Sequence, residues 1–115
     1  MALILVVDDR PTNRDLMSTI LGYQGHEVLE AAAGLAALFL LETHPPDLVI
    51  SDILMPSMDG FEFVRRLRAR PSAADIPVIF SSAHYLTAEA KALAAACGVG
   101  HILPKPIEQE DLIRL

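Results

Sequence analysis

Cysteine is almost missing from this chain of 115 residues: Cys97 stands alone, which excludes an internal disulfide framework and any thiolate metal cluster. A reducing compartment follows, and a cytoplasmic location is expected. Basic residues are the next shortage, with nine Lys and Arg against fifteen Asp and Glu and a formal net charge of −6. Sequence-independent binding to phosphate backbones or anionic lipid draws on clustered Lys and Arg, so direct contact with nucleic acid or a membrane is not expected. The local run Arg65, Arg66, Arg68 and Arg70 is interleaved with Leu67 and Ala69 and reads as the solvated face of a helix. No apolar stretch approaches the roughly 18 residues that cross a bilayer, and the first residues lack the basic, apolar, small-residue order of a signal peptide. His26, His44, His84 and His101 offer no i, i+3 or i, i+4 pair that would suggest zinc. Repeats are missing as well, and the Ala-rich stretch from Ala88 to Ala96 is ordinary helix propensity.

Hydrophobic residues make up 52% of the chain and charged residues 21%, enough apolar surface to fold and too little charge for disorder. Residues 1–115 are expected to form one domain. Ala2 to Val7 is an unbroken apolar run that stops at Asp8 and Asp9, the pattern of a strand buried on both faces. Pro11 then suits a first helical turn, and Leu16, Ile20 and Tyr23 recur at helical spacing until Gly22 and Gly25 end the segment. The alternation continues with Glu27 to Ala31 as strand, Gly34 to Glu42 as helix, Leu48 to Ser51 as strand and Gly60 to Ala69 as helix. Val78 to Ser81, Thr87 to Cys97, Gly100 to Leu103 and a last helix from about Glu108 complete it. Five strands alternating with five helices predict an α/β, doubly wound parallel sheet, because parallel neighbours need crossovers and those cover both faces. The last helix is short before Leu115, with Leu112, Ile113 and Leu115 as packing residues, so an excised or trimmed domain is expected.

In such sheets ligands bind beyond the carboxyl ends of the strands, where the strand order reverses. Asp8 and Asp9 follow the first strand, Asp52 the third, Ser81 and Ser82 the fourth, and Lys105 the fifth. Three carboxylates drawn together repel one another unless a cation or Lys105 compensates. Oxygen donors without Cys or a neighbouring His favour a hard ion, so Mg²⁺ is expected, with Mn²⁺ as the alternative. A carboxylate beside that ion can attack phosphorus to give an acyl phosphate, while the metal and the Lys105 ammonium neutralise the transferring oxygens.

Val6-Val7-Asp8-Asp9, the stretch from Ser51-Asp52 through Met55-Pro56 to Met58-Asp59-Gly60, Ser82-Ala83 and Lys105-Pro106 together resemble the receiver domain of two-component response regulators. That resemblance implies a flavodoxin-like five-stranded sheet in the order 2-1-3-4-5. It implies that Asp52 takes the phosphoryl group from a phosphohistidine on a sensor histidine kinase or phosphotransfer protein. Asp9, Asp52 and the backbone carbonyl of Leu54 would hold Mg²⁺, with Asp8 acting through water. Ser82 and Lys105 would each bind a phosphoryl oxygen and bias two conformations, and a cis peptide would precede Pro106. It also implies a homodimer through the fourth helix, fifth strand and fifth helix, and a signalling role rather than that of an enzyme acting on other substrates. Two positions depart from the family. Ile102 stands where many members swing an aromatic ring, and Leu54 and His84 occupy positions that tune phosphoryl lifetime. An apolar Leu54 beside the phosphate would not position an attacking water, so slow autohydrolysis is expected.

Other readings of the same residues exist. Asp8 and Asp9 could cap the first helix, Asp52 could cap a turn, and Ser81 competes with Ser82. An aspartyl-nucleophile phosphatase also combines carboxylates, lysine and Mg²⁺, but it looks for its nucleophile after the first strand in an Asp-x-Asp spacing. A receiver-like module that only docks partners would not need the intact set of Asp8, Asp9, Asp52, Ser82 and Lys105. Flavin binding would need a phosphate-cradling loop where Asp8-Asp9-Arg10 stands.

Overall fold

Each apolar run that ends in a polar residue forms a strand, and each carboxyl end points to the same edge of one sheet. The computed structural model describes residues 2–83 and 87–105. Its strands are β1 (Leu3–Val7), β2 (Glu27–Ala31), β3 (Leu48–Asp52), β4 (Val78–Ser82) and β5 (Ile102–Pro104), all parallel in the order β2-β1-β3-β4-β5. Between them lie α1 (Pro11–Tyr23), α2 (Gly34–Thr43), α3 (Gly60–Arg68) and α4 (Ala88–Ala96). The order reverses at β1, so the loops after β1 and β3 leave neighbouring strands in opposite directions and open a crevice between them.

Side chains along β1 divide the interior in two, as period-two alternation requires. Leu5 and Val7 face the larger cluster, built with Val49, Phe63, Leu67 and Phe80 against α2 and α3. Ile4 and Val6 face the smaller one, with Ile50 of β3 and Met17, Ile20 and Leu21 of α1. This corrects the helical stripe read from spacing alone: Leu16 is half-exposed and Tyr23 almost fully so, while Met17 and Leu21 take the core side.

Helix α1 also runs through Gly22 rather than ending there. Gly25, at φ +86°, closes it, with His26 N–H donating to Leu21 O and Gly25 N–H to Gly22 O. Gly98, at φ +79°, closes α4 in the same way through Val99 N–H to Ala94 O. Both are left-handed caps where a side chain would be strained.

The arginine run is not simply solvated. Arg65 and Arg66 pair with Glu62 on the surface, but Arg68 donates to the carbonyls of Ala74, Ile76 and Cys97, and Arg70 reaches Leu38 O of α2. These two arginines satisfy backbone acceptors between elements. Cys97 packs against the larger cluster, and His26 accepts from Ala2 N–H. No helix among the described residues is long and apolar enough to cross a membrane. The expected last helix with Leu112, Ile113 and Leu115, the peptide before Pro106, and His84 lie outside the described residues.

Candidate functional site

Strand β1 hands over to its loop at Asp8, whose N–H still donates to Ala31 O of β2 at 3.1 Å. The Asp8 side chain is fully buried. Its Oδ1 accepts from Arg10 N–H at 2.9 Å and its Oδ2 from Lys105 Nζ at 2.8 Å. Arg10 occupies the N-cap of α1 with no side-chain cap bond, and Pro11 opens the helix. Neither Asp8 nor Asp9 is therefore used as the helix cap. Carboxylate oxygens of Asp8, Asp9 and Asp52 all lie within 4.8 Å of one another.

Asp52 closes β3 and is nearly buried. Its Oδ1 accepts from Ile53 N–H at 2.8 Å, and its Oδ2 lies 3.2 Å from Lys105 Nζ. Burial is the main cause that raises the Asp52 pKa above its ordinary value, and the charge of Asp8 adds to it. The Lys105 ammonium and the Ile53 N–H act in the opposite direction without cancelling the rise.

The loop after Asp52 is folded tightly against α3. Met58 N–H donates to Pro56 O across Ser57, which sits at φ +69°, so Ser57 is the centre of a three-residue turn in the left-handed region. Asp59 caps α3 by accepting from Glu62 N–H, which makes the Asp59-Gly60 pair a helix start as well as a turn. A branched side chain at Ser57 should cost about 1–3 kcal/mol. Urea unfolding of Ser57→Val and Ser57→Gly checks this: the Val variant is expected to be clearly less stable than the Gly variant, and equal midpoints would contradict the strain.

Strands β4 and β5 supply the remaining groups. Ser82 and Ala83 line a cleft of about 320 Å³ together with Asp9, Asp52, Leu54 and Lys105. Ser81 does not line it: its hydroxyl is buried with no hydrogen-bond partner among the described residues. Lys105 N–H donates to Ser82 O at 2.9 Å, so the backbone holds these two residues side by side. Leu54 is half-exposed at the cleft. Each of Asp8, Asp9, Asp52, Ser82 and Lys105 is thus brought to one edge of the sheet.

Oxygen donors of this kind, three carboxylates in mutual reach, fit a hard divalent cation that takes one or two carboxylates and keeps other positions for water or phosphate. Lys105 here bridges Asp8 and Asp52, the compensation that buried like charges demand. Sequence reasoning missed Arg14 and Glu30. Arg14 donates to Asp8 O at 2.7 Å and pairs with Glu30 at 3.3 Å. It also missed Arg10 and Asn13 on the cleft wall. Arg14 lies on the helical face beside the loop, but no local pattern marks a contact that runs from a helix to a loop carbonyl and a neighbouring strand.

The family described as the response regulator receiver domain matches residues 4–115. An uncharacterised 14.6 kDa protein of Leptolyngbya boryana is 42% identical over 112 residues, covering 97% of this chain and 85% of that protein. The sensor histidine kinase GacS of Pseudomonas protegens is 36% identical over 97% of this chain, but the match spans only 12% of GacS. Among solved structures, the chemotaxis response regulator CheY4 of Vibrio cholerae superposes with a TM-score of 0.92 at 35% identity, covering 99% of this chain and 94% of that one.

Proposed function

We propose that this chain, which belongs to the response regulator receiver domain family, accepts a phosphoryl group on the carboxylate of Asp52. The observation that carries this is the meeting of a cleft-lining Asp52 with the Lys105 ammonium 3.2 Å away and two further carboxylates within reach of one cation. A carboxylate oxygen of Asp52 attacks the phosphorus of a phosphohistidine. The P–N bond breaks, its electron pair returns to the imidazole, which takes up a proton, and the new P–O bond forms an acyl phosphate. Mg²⁺ held by Asp9, Asp52 and the Leu54 carbonyl, with Asp8 acting through water, would supply neutralisation of the transferring oxygens.

The protein's own groups account for the rest. Lys105 already spans two carboxylates and can exchange one of them for a phosphoryl oxygen. Ser82 stands beside it on the same wall, ready to bond another. Ile102 of β5 lies half-buried against the larger core cluster, so the change is read out by displacement of the Ser82 and Lys105 segments, not by a swinging ring. A histidine kinase is the expected donor, because a protein of that name carries a segment similar to this chain; a phosphotransfer protein is the other. Such a donor fits a cytoplasmic site of action and a signalling role. Self-association through α4, β5 and the last helix rests on the family resemblance.

The test is incubation with Mg²⁺ and a small-molecule phosphodonor, followed by intact-mass analysis and mapping of the modified peptide. A single adduct on Asp52 is expected, absent when the metal is chelated, and slow to decay in a chase because Leu54 offers no polar group to an attacking water. Label on Asp8 or Asp9 would instead support an aspartyl-nucleophile phosphatase.

A further inference from the structure

We infer that Arg14 is a positioning residue for the acidic site, setting the direction in which Asp9 leaves β1; the inference rests on the metal-binding reading above. Adjacent residues of a strand point to opposite faces, so Asp8 and Asp9 can serve one site only if the peptide joining them turns out of the strand in a fixed orientation. Arg10 N–H closes that turn across Asp9 onto Asp8 Oδ1 at 2.9 Å, and two further bonds tie it to its surroundings. On its amino side, Asp8 N–H donates to Ala31 O at 3.1 Å and keeps Asp8 in the ladder with β2. On its carboxyl side, the Asp8 carbonyl, which belongs to the Asp8–Asp9 peptide, accepts from the Arg14 guanidinium at 2.7 Å.

That guanidinium is itself fixed. Arg14 N–H donates to Arg10 O at 3.1 Å, which places Arg14 in the opening turns of α1, and its Nε lies 3.3 Å from Glu30 Oε1. Glu30 and Ala31 are consecutive residues of β2, so both anchors of the turn come from the same strand end. Arg14 retains only 18% side-chain exposure, and a charge-assisted bond there is weakened little by solvent. It does not line the cleft, so it acts through the peptide and does not touch the phosphoryl donor. A guanidinium can reach the carbonyl and the carboxylate together; a lysine offers one ammonium and cannot span both with the same geometry.

The test measures ion affinity in the whole chain, with Mg²⁺ by calorimetry and Mn²⁺ by electron paramagnetic resonance, beside thermal melts without metal. Groups that orient a metal ligand typically change affinity by about 10–100-fold, so Arg14→Met is expected to weaken binding by roughly tenfold or more. Arg14→Lys should restore part of it. Glu30→Gln, at an exposed position, should weaken binding less, and should add little in the Arg14→Met background, because the two side chains act as one unit. Should Arg14→Met fail to fold, Glu30→Gln and Arg14→Lys decide. A purely structural role would lower the melting temperature and leave affinity within twofold, which would overturn the inference while leaving the metal reading intact. Wild-type protein that binds neither ion would overturn both.

Discussion

Replacing Gly60 with alanine is expected to destabilise the fold by about 3 kcal/mol and to slow phosphoryl uptake by roughly a hundredfold. A Cβ built on Gly60 would lie 2.5 Å from Asp52 O and 2.8 Å from Ile53 Cα. Both obstacles are backbone, so no rotamer change relieves the clash, and the third neighbour, Phe80, belongs to the core. Gly60 N–H also donates to Ile53 O at 2.7 Å. Making room for a methyl group therefore means parting the start of α3 from the end of β3, the segment that aims the Asp52 carboxylate. The comparison that isolates the effect is Gly22→Ala. Gly22 lies within α1, is exposed, and a Cβ there would meet nothing within 4 Å, so alanine should stabilise by about 0.5–1 kcal/mol through helix propensity alone. Urea unfolding of the two variants should move in opposite directions. Equal stability for both would show that the close approach at Gly60 does not govern the fold.

Much of this architecture is legible in the sequence because it depends on local features. Runs such as Leu3 to Val7 and Val78 to Phe80 are too apolar to lie anywhere but inside a sheet covered on both sides, and their abrupt polar ends mark the edge where Asp8, Asp52 and Ser82 gather. What spacing could not decide is which of two overlapping stripes a helix buries. Leu16, Ile20 and Tyr23 have helical periodicity, and so do Met17, Ile20 and Leu21; only the position of Ile4, Val6 and Ile50 across the interface selects the second set. The contacts of Arg68 and Arg70 are hidden for a related reason: Arg68 donates to backbone carbonyls that carry no side-chain signature, and Arg70 reaches Leu38 O and Glu42 of α2 across 28 or more positions of sequence. The sequence places Lys105 with the carboxylates and the phosphate but not its particular partner: the bond to Asp8 spans 97 positions and depends on β1 and β5 being fixed in one sheet.

Asp52→Asn is expected to abolish the phosphoryl adduct and, without metal, to make the protein more stable than the wild type near neutral pH. The first result follows from losing the nucleophile: an amide nitrogen or oxygen cannot form the acyl phosphate. The second follows from the raised pKa. Asp52 binds its proton more tightly in the folded chain than at its ordinary value of 3.8, chiefly because burial disfavours the charge. Between that value and the folded one, the folded state holds more protons than the unfolded state, so stability falls as pH rises through the window and the loss is complete above it. Asparagine has no proton to lose; its one side-chain oxygen can keep the bond from Ile53 N–H, while its NH2 takes the Oδ2 place and Lys105 keeps its bond to Asp8. The variant should therefore lack this contribution to the pH dependence and gain most over wild type above the window. Adding Mg²⁺ should narrow the gap, since a cation that binds only the folded state raises wild-type stability by mass action, and the variant has one carboxylate fewer to hold it. The measurements are intact mass after phosphodonor treatment and melting temperature against pH with and without Mg²⁺. An adduct of unchanged yield in Asp52→Asn would remove Asp52 from the reaction, and a wild type that is the more stable at neutral pH without metal would mean that Lys105 outweighs burial.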